Sequence, residues 1–304
     1  MKHIISSLLL LIALGAAAET DGDGARTVYN DDSKALLGDW FGIDLRYPTE
    51  VGQEPMEADT LGRRYRVQFN ADDGSLVTGT LGMPSETDGP VPLALAMHPM
   101  GTDERIWWNS DTPVFGGRLV DELRKRGFAV LTLDARLHGL RRVENVGPRE
   151  MIGFARGDNP TPYVRMIVDT VRDYRIALRW ADTHPELDTD HLFVLGYSMG
   201  AQMSLLLASV EPRVRSVLTM VPPYVDRALS PVAPRNHVAR IDQARVLMLL
   251  ARNDPYSSPV QNRQVFEALA TPHKQMQFFA SEHVLPEAYL QPALAFIADS
   301  EGVR

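Results

Sequence analysis

The sequence predicts an α/β fold: a mostly parallel sheet with helices on both faces, opened by an N-terminal antiparallel hairpin. Three observations carry this expectation. Six short apolar runs recur along the chain, with longer segments of helical period between most of them. The runs do not alternate apolar with polar residues, which is the signature of strands covered on both faces. Two alternating segments ahead of them are joined by a four-residue turn, which reads as a hairpin.

Taken in order, residues 1–18 read as an export leader. Lys2 supplies positive charge, Ile4 to Leu14 an apolar stretch, and Ala16-Ala17-Ala18 a small-residue cleavage site before Glu19. The apolar stretch ends before the roughly 20 residues a bilayer span needs. The expectation is a periplasmic or secreted protein with no stable membrane anchor after cleavage. Residues 19–60 read as an N-terminal extension whose first part, 19–34, is a polar, acidic lead-in. The main domain is expected over 61–304. Its hairpin pairs 64–70 (RYRVQFN) with 75–83 (SLVTGTLGM) around Ala71-Asp72-Asp73-Gly74. The buried strands are expected at 92–97, 128–133, 192–196, 216–221, 246–251 and 276–280, and the helices at 114–126, 163–183, 199–210, 259–270 and 286–298. Two connections, 134–162 and 222–244, are rich in Gly and Pro and longer than a helix needs. They can wall a pocket but are too short for a separate cap domain.

Composition removes several classes of function. With 31 Lys+Arg against 39 Asp+Glu the net charge is −8, so no basic surface is expected for nucleic acid. Cysteine is absent, which excludes disulfides, a thiol nucleophile and cysteine metal sites. No H-E-x-x-H occurs and no G-x-G-x-x-G follows a strand, so neither a metal nor another cofactor is expected.

The most specific motif is Gly196-Tyr197-Ser198-Met199-Gly200, which follows the run LFVLG and opens the helix AQMSLLLAS. A G-x-S-x-G pentapeptide alone is weak; in a strand–turn–helix it reads as a nucleophile elbow. The glycines let strand and helix approach, and the sharp turn pushes the Ser198 hydroxyl outward. The Met199 N–H then lies at a helix N-terminus, where partial positive charge favours an oxyanion. The bland alternative is an ordinary turn with serine as helix N-cap.

With His98-Pro99-Met100-Gly101 after one strand and Asp134-Ala135-Arg136-Leu137-His138-Gly139 after the next, the sequence resembles the α/β-hydrolase superfamily. Within it, the likeness is to dienelactone-hydrolase and acetyl-xylan-esterase-like serine hydrolases, over about residues 60–300. The resemblance implies an eight-stranded sheet and a Ser-acid-His triad in that chain order. It implies His283 as the base, in the loop after the last strand, and Asp254 as the acid, with Asp226 as the alternative on an earlier strand. It implies Met100 as the second oxyanion donor beside Met199. The chain departs from the family pattern at Pro99, where glycine is common, and at Ser198, where dienelactone hydrolases carry cysteine; their lactone activity therefore does not carry over. His98, Asp134, Arg136 and His138 read as loop-stabilising residues.

Trp107 and Trp108, just past the oxyanion loop, and Tyr197, beside the serine, are expected as pocket residues, with at most one tryptophan facing the site. The expected function is hydrolysis of small-molecule carboxylic esters, with short acyl chains preferred. An exopeptidase-like hydrolase and a non-enzymatic binding protein on the same scaffold are the alternatives.

Overall fold

The computed structural model describes residues 16–19, 26–29, 36, 38–48, 50–85, 88–226 and 230–300. The leader at 1–18 and the lead-in at 19–34 lie outside the described residues, apart from two short strands. These are β1 (Ala16–Glu19) and β2 (Arg26–Tyr29), which pair antiparallel.

The main sheet contains β3 (Val51–Pro55), β4 (Arg64–Asn70), β5 (Leu76–Gly82), β6 (Val91–Met97), β7 (Ala129–Leu133), β8 (Leu187–Tyr197), β9 (Val214–Met220), β10 (Arg245–Ala251) and β11 (Lys274–Phe279). Their order across the sheet is β11-β10-β9-β8-β6-β7-β5-β4-β3. The six strands from β11 to β7 are mutually parallel, and β5, β4 and β3 continue antiparallel. Six helices accompany the sheet among the described residues: α1 (Gly116–Lys125), α2 (Pro148–Arg156), α3 (Thr161–Ala181), α4 (Met199–Val210), α5 (Pro259–Ala268) and α6 (Leu290–Ala298).

Why the central strands read as unbroken apolar runs is visible in β6. Leu93, Leu95 and Met97 enter one core with residues of α3, α4 and α5, while Ala94 and Ala96 enter a second core with α1 and α6. Both faces are covered, so both sets of alternate positions must be apolar. The helices segregate accordingly. Leu119, Val120 and Leu123 of α1 and Ala293, Phe296 and Ile297 of α6 share one core; Ile167, Val171 and Leu178 of α3 and Leu205 and Leu206 of α4 share the other.

The sheet has nine strands rather than the expected eight. The additional one is β3, an antiparallel edge strand pairing Val51 with Phe69 and Pro55 with Tyr65, ahead of residue 61. Its sequence VGQEP carries no hydrophobic alternation because this edge strand, exposed from Gln53 to Pro55, is held mainly by backbone pairing. The connection 134–162 also contains a helix, α2. Pro148 occupies its first turn, and the Glu150 carboxylate accepts from the Gly147 N–H at 2.9 Å. Gly153 inside this nine-residue segment masks its helical pattern.

A buried ionic cluster ties the hairpin, the segment after β7 and α3 together. Arg136 makes a two-pronged contact with Asp173 (2.7 and 2.8 Å) and reaches Asp73 at 2.6 Å, and Arg141 reaches Asp173 at 2.6 Å. The Asp173 side chain is almost wholly buried, so the two guanidiniums offset a charge that could not otherwise be desolvated. Asp134 accepts from the Thr78 hydroxyl and the Leu140 N–H, which fixes the same segment against β5.

Two glycines in this fold should respond oppositely to alanine. A Cβ on Gly200 would lie 1.9 Å from the Met97 carbonyl oxygen, whereas one on Gly153 meets nothing within 4 Å. Gly200→Ala should lose about 3 kcal/mol or fail to fold. Gly153→Ala should hold or gain up to about 1 kcal/mol from helix propensity. Urea unfolding midpoints check both; equal effects would contradict this packing.

Candidate active site

All the loops that matter here leave the same edge of the sheet, because parallel strands end together. β6 runs into His98–Gly101, β8 into Ser198, β10 into Asp254 and β11 into His283.

Ser198 sits between β8 and α4 with φ 55° and ψ −116°, a conformation that L-residues avoid. The flanking glycines explain how it is tolerated. A Cβ on Gly196 would fall 2.1 Å from the Gly200 carbonyl oxygen, and one on Gly200 would strike β6. Strand and helix therefore cross with no room for side chains. The turn is pinned by the Ser198 N–H donating to the Met220 carbonyl at 2.8 Å, and by the Ser198 carbonyl accepting from the Gln202 N–H at 3.0 Å. Ser198 is left half-buried among buried neighbours.

The structure brings Ser198, His283 and Asp254 into one hydrogen-bonded line. Ser198 Oγ lies 2.7 Å from His283 Nε2, and His283 Nδ1 lies 2.8 Å from Asp254 Oδ2. The carboxylate can only accept, so Nδ1 carries the proton and Nε2 is free to accept from the serine hydroxyl. The Asp254 side chain is 1% exposed and that of His283 is 21% exposed. Asp254 Oδ1 accepts from the Tyr256 N–H at 2.8 Å, an Asx turn built on Asp254-Pro255-Tyr256. The Tyr256 ring stands 4.7 Å from the imidazole at a steep angle. Sequence reading did not single out Tyr256, although the Asp-Pro-Tyr turn was its available signal. Asp226, the alternative acid, is exposed and accepts from Gln261 Nε2 at 3.1 Å, away from the histidine.

The loop after β6 is built around one carbonyl. Pro99 C=O accepts from the Thr102 hydroxyl at 2.8 Å and from His98 Nδ1 at 2.9 Å, while His98 Nε2 accepts from the Ala135 N–H at 3.0 Å. Both His98 nitrogens are thus committed, and the ring is neutral. Burial, together with His138 at 5.2 Å, holds its pKa down to about 4. His98 clamps this loop to the segment after β7. Met100 follows in the loop, and Gly101 takes φ 83° with Pro148 of α2 packed on it. Met199 is the first residue of α4, so its N–H has no partner within the helix.

The expected pocket residues take other places. Trp107 is fully buried in the core with α1, so it offers no surface to a ligand. Trp108 packs on Gly82 and donates its indole N–H to Glu104 and Thr132. Tyr197 is 2% exposed, and its hydroxyl joins the backbone around His283. Trp108 stays half-buried and lines a surface cavity with Thr102, Asp103 and Ile106 that does not include Ser198. α2 instead reaches the site. Its first residue contacts Gly101, and its last, Arg156, lies 5.4 Å over the Tyr256 ring and donates to the Pro255 carbonyl. Among the described residues, no cluster of three or more His, Asp or Glu is arranged to hold a metal ion. No described helix is long and apolar enough to cross a membrane.

A family model described as "Alpha/beta hydrolase family" matches residues 94–299. The chain belongs to the alpha/beta hydrolase family. No curated protein matches the sequence. Among solved structures, acetyl xylan esterase 1 from Thermoanaerobacterium sp. is similar at TM-score 0.67 and 18% identity, covering 89% of this chain and 93% of its own. An acetyl xylan esterase from Paenibacillus sp. R4 follows at 0.66 and 19%, covering 88% and 92%. A cold-adapted esterase from an Arctic intertidal metagenomic library gives 0.63 and 16%, covering 83% and 99%. At these identities the likeness is one of fold.

The buried histidines set a pH dependence of stability. His98 and His237 are each lowered from 6.5 to about 4, mainly by burial. Between those values the unfolded chain binds protons that the native state does not, so stability falls as pH falls through this window and is flat above it. The urea midpoint should drop by the equivalent of roughly 1–3 kcal/mol per histidine between pH 7 and 4. In NMR titrations the His98 ring should stay neutral at pH 5; titration near 6.5 would contradict its clamped geometry.

Proposed function

We propose that this protein is a serine hydrolase that cleaves carboxylic esters through an acyl-enzyme, with Ser198 as nucleophile, His283 as base and Asp254 as the acid that orients it. The observation that carries this reading is the hydrogen-bonded line from Ser198 Oγ to His283 to Asp254, at 2.7 and 2.8 Å. Ser198 Oγ attacks the ester carbon while its proton passes to His283 Nε2. The imidazolium is stabilised by the buried Asp254 carboxylate. The carbonyl oxygen becomes an oxyanion, held by the N–H groups of Met100 and Met199. Collapse expels the alcohol, which takes the proton from Nε2. Water, deprotonated by the same nitrogen, then attacks the acyl-enzyme and releases the acid and Ser198.

The acid is small in this reading. α2 bridges from the loop bearing Met100 to Tyr256, which packs on His283, and so narrows the approach to Ser198. The names of the structural neighbours, acetyl xylan esterases, agree with a short acyl group. The leader composition at 1–18 supports export to the periplasm or medium.

Ser198→Ala should lower kcat on p-nitrophenyl acetate by about 10³-fold or more with unchanged circular dichroism. Asp254→Asn should cost a similar order, and Asp226→Asn only a few-fold. Wild-type activity in the alanine variant, or the reverse ranking of the two aspartates, would overturn the assignment. Across C2 to C12 p-nitrophenyl esters, kcat/KM should peak at about C6 or shorter, as pocket discrimination of roughly 1–3 kcal/mol per methylene allows. A maximum at C10 or above would refute the narrow approach.

A further inference from the structure

Ser198 and His283 are 85 residues apart and stand on different strands' loops, yet their reacting atoms are held at 2.7 Å. Ser198 is fixed by its turn. His283 lies in a segment, 280–285, with no helix or strand of its own. One side chain joins the two. The Tyr197 hydroxyl donates to the His283 carbonyl at 3.1 Å and accepts from the Leu285 N–H at 2.8 Å. Tyr197 immediately precedes Ser198 and ends β8, so the clip is anchored to the strand that carries the serine turn. The ring is held in turn by Tyr289 at 6.4 Å and by the core it shares with Met220 and Leu249. Burial pushes the phenol up to about 12, so the hydroxyl keeps the proton it donates.

We infer that Tyr197 is a positioning residue for the reaction: its hydroxyl staples the backbone at His283 and at Leu285 to the serine turn and thereby sets the Ser198–His283 distance. The inference rests on the proposed role of His283 as base. Deleting the hydroxyl leaves the ring packed but removes both clips beyond His283, leaving the segment held by the Asn253–Ser281 bond and the Asp254 contact. A base displaced by about an ångström loses rate steeply while substrate binding, made elsewhere, persists.

The test compares Tyr197→Phe with wild type. For p-nitrophenyl acetate, kcat should fall on the order of tenfold or more with KM nearly unchanged. The low-field proton resonance of His283 Nδ1–H, visible without turnover, should broaden or shift in the variant. Unchanged kcat, or a raised KM at unchanged kcat, would overturn the inference, as would an unperturbed His283 resonance. Thermal unfolding of the variant controls for folding, and Tyr197→Leu, lacking the ring, should be worse than Tyr197→Phe in Tm as well as kcat. Full activity in Ser198→Ala would overturn the underlying mechanism instead, and the resonance comparison between wild type and Tyr197→Phe would still report on the clip.

Discussion

The structure depends on how closely β8 and α4 cross. The strand ends and the helix begins with a single residue between them, and that residue, Ser198, is forced to φ 55°. The cost of such a backbone is of order 1–3 kcal/mol and must be over-determined by its surroundings. Here the surroundings are a carbonyl of β6 against Gly200, a carbonyl of Gly200 against Gly196, and two backbone hydrogen bonds at Ser198, one donated to Met220 and one accepted from Gln202. Nothing larger than hydrogen fits at either glycine, so the same contacts that strain the serine also prevent it from relaxing.

From that fixed point the remaining geometry follows from strand direction. Because β6, β8, β10 and β11 are parallel, the loops that carry Met100, Ser198, Asp254 and His283 emerge on one edge. Parallel pairing then fixes their spacing: Ala251 of β10 is level with Phe279 of β11, and Gly196 of β8 with Met97 of β6. Two backbone bonds lock the acid and histidine loops together beyond the strands, Arg252 N–H to Phe279 and Asn253 N–H to Ser281. A buried neutral histidine, His98, does the same between the loops after β6 and β7. The segment after β7, on the same edge, is in turn held to α3 by the ion pairs of Arg136 and Arg141 with Asp173.

Much of this was legible in the sequence, and for definite reasons. Strands buried on both faces must be apolar throughout, so β6 to β10 announce themselves. The elbow announces itself because only glycine fits at 196 and 200. Asp254 and His283 follow from the chain order of the resembling fold rather than from any local pattern, and the structure brings both to Ser198. What stayed hidden lacked a pattern of its own: β3 is an edge strand that needs only a backbone, and α2 is nine residues long and interrupted by Gly153. The aromatic residues near the serine lie apart from the expected pocket for a different reason. Adjacency in sequence places Trp107, Trp108 and Tyr197 near the site, but packing decides where their rings go: Trp107 enters the core, Trp108 bonds Glu104 and Thr132, and the Tyr197 hydroxyl bonds the backbone around His283.

The central claim is that the Ser198 oxygen becomes covalently acylated. The direct measurement is peptide mapping by mass spectrometry of a reaction with p-nitrophenyl acetate quenched in acid during turnover. The account predicts an acetyl group on the peptide containing Ser198, absent when Ser198 is alanine. An acetyl group carried only on another residue, or ester turnover with no acylated peptide at any quench time, would contradict it.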